Sequence, residues 1–526
     1  MNLICSNANA DQWYNWLAME ADKLTTSSRT IARIAVRSTV WVSLGTYLNQ
    51  LIGFVATLIM TRLLAPEVFG FFSMATFWST LLNLRAKSGL SYAAIRQPTT
   101  DGDLAGTYLA LDAATTTGSL ALSLIAAAIL LQLGYVSQVV LGVIILTTAD
   151  SITVIIGPLS MVLEKELQIS RLTLVSLLAA IIAYSVAIYL AVTGAGIWSL
   201  LAINCITSLV SLGGVYWVCK HRWPQALTWK WRFNRALAMQ LLRQGLPTGL
   251  SLTALGSIVL QFDNFLIGTF VGYTTLGFYD RAYRIAHWPN LLLTMIVSRI
   301  GFLTFAKVQN DPPRLTHAVR LSLWVLTTLG IPIAIMLLFG ASDIVYILYT
   351  NKWSESAFFL RFLIIFSLTW PFVSVGFWLS VARGHSRTTA LLTATQAAAI
   401  VLFATPLTLA WGVMGTILGV ALTMALSFAL SCYYVFRQVP LSFIGTFGPP
   451  FVAACASAGL LLGANQLPVW AQLVPLVRLF ATGLIGPGAF ILVLFALRPK
   501  EMIERLRYVM QLWAWRPANL TQITEG

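Results

Sequence analysis

Along this chain the apolar residues fall in long unbroken runs, not in the alternation of half-buried strands or the three-and-four spacing of soluble helices. A helical run of about 20 apolar residues crosses roughly 30 Å of hydrocarbon. The pattern predicts spans near 38–61, 68–84, 104–131, 136–160, 167–192 and 197–218. After a polar gap come 244–269, 274–302, 317–340, 357–382, 388–410 and 413–436, then a last pair near 448–465 and 475–497. The expected fold class is an all-α polytopic membrane protein of about 14 transmembrane helices, arranged as six, six and two. The second span is short, and the eighth carries charges.

The polar intervals divide the chain further. Residues 1–36 hold a Trp-rich patch around Trp13 and Trp16 and a polar stretch from Lys23 to Arg33, with no apolar core of an export signal. They are read as a cytoplasmic segment, and the first span as its own insertion signal. An N-lobe at 37–219 and a C-lobe at 244–437 are joined by a linker at 220–243 that carries Trp223, Trp229 and Trp231 among arginines. The last two spans occupy 438–498. In the tail, 499–526, Met502, Ile503, Leu506, Val509, Met510 and Trp513 sit at helical spacing with Lys and Arg opposite, which predicts an amphipathic helix on the inner surface. Local similarity hints at duplication. Leu63 to Phe71, leading into Met74-Ala75, matches Phe270 to Phe278, leading into Arg281-Ala282, at an offset of 207; Gly89 to Gln97 matches Gly301 to Gln309 at an offset of 212. With an even number of spans per half, the halves would share one topology about an axis along the membrane normal.

Composition fits this pattern. Apolar types make up 58% of the 526 residues, charged types only 10%, and 33 Lys and Arg stand against 18 Asp and Glu. So little charge cannot cover soluble domains of this size. With the N-terminus inside, 26 of the 33 basic residues fall in cytoplasmic segments; Arg62, Lys352, Arg361 and Arg478 fall outside, and Arg281, Arg284 and Arg299 within the eighth span. That asymmetry follows the positive-inside rule and puts both termini in the cytoplasm. The net charge of +15 is thus spread over inner loops beside anionic lipid, so nucleic acid is not an expected partner.

Candidate chemistry lies where ionisable residues enter the hydrocarbon, at about 2.5–3.5 kcal/mol each on insertion scales. Asp112, Asp150 and Asp263 stand alone in the third, fourth and seventh spans, whereas Asp280, Arg281, Arg284, His287 and Arg299 crowd the eighth around Pro289. Arg281, Arg284 and Trp288 share one helical face, as do Asp280, Arg284 and His287. An Asp280–Arg284 ion pair accounts for two of these residues; a water-filled cationic cavity accounts for all of them. Asp263 and Asn264 are candidates for pairing with an arginine of the eighth span or for binding a coupling cation. Asp112 and Asp150 fit near-surface polar positions equally well and are given no role. Arg85, Lys87 and Arg96 are read first as topogenic, with Arg85 retained as a binding candidate. No enzyme is expected. The longest outer loop, about 341–356, offers only Asp343, Lys352 and Glu355, and His221, His287, His317 and His385 are too dispersed for a metal site. The five cysteines form no C-x-x-C pair, no Gly-Lys-Ser/Thr phosphate loop occurs, and no cofactor is expected.

The stretches Phe262 to Gly268, Leu276 to Tyr283, Pro289, and Lys307 to Asp311 with Arg314 resemble the Wzx-type oligosaccharide flippases. These belong to the polysaccharide transporter family of the multidrug/oligosaccharidyl-lipid/polysaccharide exporter superfamily. Thr61 to Gly70 and Lys87 to Leu90 resemble the same group, and the likeness covers about 37–437. The resemblance implies two six-helix lobes forming a V, with alternating access. Its cargo would be an undecaprenyl-diphosphate-linked oligosaccharide moved outward across the bacterial inner membrane for exopolysaccharide or lipopolysaccharide biosynthesis. It implies a diphosphate or acidic-sugar role for Arg284 and Arg299, with Arg85 weaker. Implied partners are the lipid-linked oligosaccharide, membrane lipids, and a polysaccharide polymerase and chain-length regulator. The alternatives are a drug/cation antiporter of the same superfamily, centred on Asp263, and a membrane polymerase or glycosyltransferase.

Overall fold

In hydrocarbon an apolar run can satisfy its backbone only by bonding within itself, and the computed structural model, which describes residues 41–97, 101–165, 169–224, 231–296 and 301–514, shows helices and no strand among them. In chain order they begin α1 (Trp41–Leu63), α2 (Pro66–Leu82), α3 (Leu84–Ser88), α4 (Leu90–Ile95), α5 (Gly102–Gln132), α6 (Ser137–Ile152) and α7 (Gly157–Lys165). Next come α8 (Ile169–Val192), α9 (Ile197–Arg222), α10 (Arg235–Gly249), a π-helical turn (Leu250–Ala254), α11 (Leu255–Phe270) and α12 (Tyr273–Ile296). The series ends with α13 (Phe302–Val308), α14 (Pro312–Phe339), α15 (Ala341–Tyr349), α16 (Ser354–Ala382), α17 (Ser386–Gln438), α18 (Phe443–Asn465), α19 (Pro468–Gln472), α20 (Pro475–Leu497) and α21 (Pro499–Ala514).

Among the described residues nine helices are long and apolar enough to cross a membrane, and α6 with α7, bent by 50°, makes a tenth. One of the nine is α17, whose 53 residues break at Trp411 and Gly412. Gly412 sits at φ 58, a left-handed conformation that glycine adopts without a Cβ clash. Two of the expected spans, 388–410 and 413–436, meet at that break. Helices α2 and α11 are shorter, with 17 and 16 residues, and α12 is the charged one; they stand at the second, seventh and eighth expected spans. Fourteen spans are consistent with this order. The expected fourth span is not straight: its helix ends at Ile152, and α7 continues to Lys165 after a bend. The expected amphipathic tail is helical to Ala514, and Met502 is buried in a cluster with Leu494 and Phe490 of α20. The N-terminal segment 1–36 lies outside the described residues.

The helices group into two compact units: Met1–Leu63 with Trp78–Leu250, and Leu64–Phe77 with Ser251–Gly526. In the first, α8 packs along α9. Ala179, Ala183, Ala187 and Ala191, four apart, are buried on α8, where small side chains let backbones approach closely. In the second unit α2 meets the start of α12 through a reciprocal contact. A Cβ on Gly70 would lie 1.8 Å from the Tyr273 carbonyl oxygen, and one on Gly277 would lie 1.9 Å from that of Pro66. Adding the repeat offset of 207 turns 66 into 273 and 70 into 277, so the two duplicated stretches touch through equivalent positions, as in a contact across a two-fold axis. Phe71 on Tyr273 and Phe77 on Phe265 extend the seam. The outer faces of the last spans remain apolar, with Phe480 72% and Leu484 78% exposed, as expected of surfaces that meet lipid.

Candidate functional site

The charges of α12 are organised around one carboxylate. Asp280 Oδ2 accepts from Arg281 Nε at 2.9 Å and from Arg284 Nε at 3.2 Å, and Arg281 Nη2 also donates to it. The three residues are within one helical turn, so the helix sets their spacing. Burial then divides them. Arg281 is only 2% exposed, and its guanidinium lies 4.4 Å from the centroid of the Phe69 ring on α2. Phe69 and Phe278 both pack edge-on against Trp353, which Tyr349 also contacts, so the ring beside this arginine belongs to an aromatic cluster. The expectation that Arg281 faces a wet cavity does not fit this placement. Desolvation would cost a lone guanidinium heavily, and Asp280 with the Phe69 π-face offsets that cost. Arg284 keeps 49% of its side chain exposed while Asp280 holds it from behind. It is the cation of this group that a ligand can reach.

One face of α12 further along is aromatic. Tyr283 stacks on His287 at 5.7 Å, and Asn290 Nδ2 donates to His287 Nδ1 at 3.2 Å. With Phe366, Ser367 and Trp370 of α16 they border a small cavity of about 40 Å³, which Arg281 and Arg284 do not border. Pro289 removes one backbone donor from α12, and Ser367 Oγ donates to the nearby Ala286 carbonyl at 2.7 Å. Arg299 lies outside the described residues.

Asp263, on α11, the candidate for pairing with an arginine of the eighth span or for binding a cation, is buried and accepts from the Tyr279 hydroxyl at 2.7 Å and from the Asn264 backbone amide at 2.9 Å. Tyr279 directly precedes Asp280 on α12, so the Asp263 partner and the charged group are neighbours along that helix. The side chain of Asn264 is half-buried beside it.

In the first unit, Arg85 on α3 makes a denser set of contacts than a purely topogenic residue would. Its Nε donates to both carboxylate oxygens of Asp112 at 2.9 and 3.0 Å. Nη1 donates to the Asp150 carbonyl at 3.1 Å and to the Thr153 hydroxyl, and Nη2 to the Thr153 carbonyl at 3.3 Å. Asn83 donates to the Asp150 carboxylate at 2.8 Å while capping α3. Asp112 and Asp150, given no role from the sequence, are thus the anchors of Arg85. The available signal was charge matching: each is the sole acid of its span, and Arg85 ends the span before them. A cavity of about 240 Å³ opens beside Arg85, bordered by Tyr108, Ser160 and Glu164. Two residues on, Lys87 donates to the Leu81 carbonyl, and burial lowers its ammonium pKa below the ordinary lysine value. Among the described residues no cluster of His, Cys, Asp and Glu could hold a metal.

The chain is similar to several known membrane and polysaccharide-biosynthesis proteins. A succinoglycan biosynthesis transport protein of Rhizobium meliloti (strain 1021) is 30% identical over 174 residues, which is 32% of this chain and 33% of that protein. A membrane protein in the cps region of Klebsiella pneumoniae is 23% identical over 490 residues, covering 90% of this chain and 96% of the relative. The teichuronic acid biosynthesis protein TuaB of Bacillus subtilis (strain 168) is 25% identical over 39% of this chain and 41% of its own. The first and third relatives are therefore matched over less than half their lengths. Among solved structures, the lipid II flippase MurJ in its inward closed conformation superposes with a TM-score of 0.67 at 13% identity, over 88% of this chain and all of that one. An inward-facing multidrug resistance MATE family transporter of the MOP superfamily gives 0.58 at 17% identity, over 76% and 98%. At such identities the likeness describes the fold, a multi-pass helical membrane architecture. The family model described as polysaccharide biosynthesis protein matches residues 59–358, more than half of the sequence, and the chain belongs to that family.

Proposed function

We propose that this protein is a flippase that carries a lipid-linked oligosaccharide, on an undecaprenyl diphosphate anchor, from the inner to the outer leaflet of the bacterial inner membrane, with both termini cytoplasmic. The observation that carries the reading is Arg284: a half-exposed guanidinium in the eighth expected span, held in place by a buried carboxylate. Family membership in polysaccharide biosynthesis and the fold shared with MurJ support it. Guanidinium is suited to diphosphate because its planar fork matches phosphate oxygens two at a time. The Arg85 cavity is a second candidate contact for the phosphates or for an acidic sugar.

The physical need is plain. Each sugar hydroxyl taken into hydrocarbon without a partner costs several kcal/mol, so a head of several sugars does not cross unaided. A hydrated, cationic passage that opens alternately to the two faces supplies partners throughout, while the polyprenyl tail stays in lipid. An inside-negative potential favours outward movement of an anionic head by about 2.3 kcal/mol per charge per 100 mV. Asp263, engaged by Tyr279 and buried, offers less to a cation than a drug/cation antiporter would require.

The test replaces Arg284 and Arg299 with alanine in a strain that depends on this gene for surface polysaccharide. The expected result is normal insertion with loss of surface display. Unchanged display in the double variant removes the cationic-site mechanism, and drug resistance on overexpression would favour the antiporter.

A further inference from the structure

The amphipathic helix α21 does more than lie beside the bundle: it closes one side of a pocket of about 290 Å³. The pocket is bordered by α14 (Arg320, Trp324), the first turns of α18, the end of α20 and α21 itself (Glu501, Met502, Arg505), with Arg498 between the last two. Its volume is near the lower end of the roughly 300–1,000 Å³ usual for small-molecule sites. That suits a headgroup better than an oligosaccharide.

Three arginines and one glutamate border the pocket, which leaves it net positive. Glu501 bridges two of the arginines, accepting from Arg498 Nη1 at 2.8 Å and from Arg505 Nη2 at 2.8 Å, so it fixes their positions without neutralising both. Arg505 lies 5.2 Å from the centroid of the Trp324 ring. Burial first, with the nearby charges of Arg320 and Arg498, lowers its pKa against the opposing pull of Glu501. Arg320 is exposed and makes no ion pair among the described residues. Like charges gathered around an open volume are costly unless an anion joins them. The first turn of α18, the positive end of its dipole, borders the same space.

We propose that this pocket binds the phosphate of an anionic membrane phospholipid and so docks α21 on the bundle. The walls suit a lipid better than a soluble anion: Leu441, Pro449, Pro450, Leu494 and Met502 are apolar. Just beyond them Ile444 and Phe451 of α18 are largely exposed, a surface along which acyl chains can lie. Basic pockets between spans are the usual receptors for anionic headgroups on the cytoplasmic side, the side to which the distribution of basic residues assigns these helix ends.

The experiment uses the purified full-length protein in neutral detergent, with lipid binding counted by native mass spectrometry and thermal melting followed in parallel. Phosphatidylglycerol is expected to bind and to raise the melting temperature, phosphatidylcholine not to. Each arginine removed, in Arg320→Gln and Arg505→Gln, is expected to weaken phosphatidylglycerol binding about fivefold. Arg320→Lys is expected to keep most of it. Arg320, exposed and without an ion pair, can be changed without disturbing the fold, so its result stands even if Arg505→Gln unfolds. Equal binding of phosphatidylcholine, or phosphatidylglycerol binding unchanged in Arg320→Gln, overturns the site. Full protection by inorganic phosphate alone would assign the pocket to a soluble anion and overturn the lipid reading.

Discussion

Asp280 decides how three charged side chains can share one turn of an otherwise apolar bundle. Its carboxylate serves a buried arginine and a half-exposed one, so its two neighbours respond differently to its loss. Asp280→Asn leaves Arg281 charged and buried against Phe69, and breaking a buried pair in this way costs about 3–5 kcal/mol. A lowered melting temperature in detergent is the expected outcome. Arg284→Gln keeps the Asp280–Arg281 pair, so its melting temperature should stay within a few degrees of the parent while transport is lost. If both variants melt alike, Asp280 is not what stabilises the buried Arg281. In the first unit, Arg85→Ala strands Asp112, which is buried, and is expected to destabilise that unit far more than Lys87→Ala does.

Among the elements, the clearest is the crossing of α2 with the start of α12. Gly70 and Gly277 admit no side chain there, because a Cβ would overlap the opposing backbone. Backbone cannot yield as the far end of a flexible side chain can, so Gly70→Ala and Gly277→Ala are both expected to lower thermal stability, and by similar amounts if the contact is reciprocal. Gly459→Ala, on α18 with open space around it, is the control that should not. The same crossing shows what could be read from the sequence. The apolar runs located every long apolar helix, because a backbone in hydrocarbon has so few alternatives, whereas short helices such as α3, α4, α15 and α19 left no such run. The repeat offset paired the stretches that turn out to touch. The bend after Ile152 and the grouping of residues 64–77 with the second half were not legible, since neither changes the apolar pattern. Side-chain pairing was legible only within a helix turn. Asp280 with Arg284 follows from spacing, whereas Arg281 on Phe69, Asp263 on Tyr279, and Arg85 on Asp112 and Asp150 depend on which helices become neighbours.

At the scale of the whole molecule, the chain invests little charge and spends it unevenly. Most of its basic residues lie outside the expected spans, at helix ends and between helices; a few are carried into apolar surroundings and paired with acids. Arg478, which donates to Asp343 at 2.7 Å, joins the last span to α15 in this way, and Arg478→Gln should loosen the C-terminal pair without changing the other helices, as hydrogen exchange would show. Arg284 stands apart by its exposure. The measurement that bears most directly on its proposed role is leaflet exchange in proteoliposomes. A fluorescent undecaprenyl-diphosphate oligosaccharide is placed in both leaflets, and the fraction reached by an external quencher is followed with time. With the parent protein the protected pool is expected to become accessible, and with Arg284→Gln, folded and inserted to the same extent, it is expected to stay protected. A protected pool that persists with the parent protein, or one lost equally fast with the variant, would contradict the account.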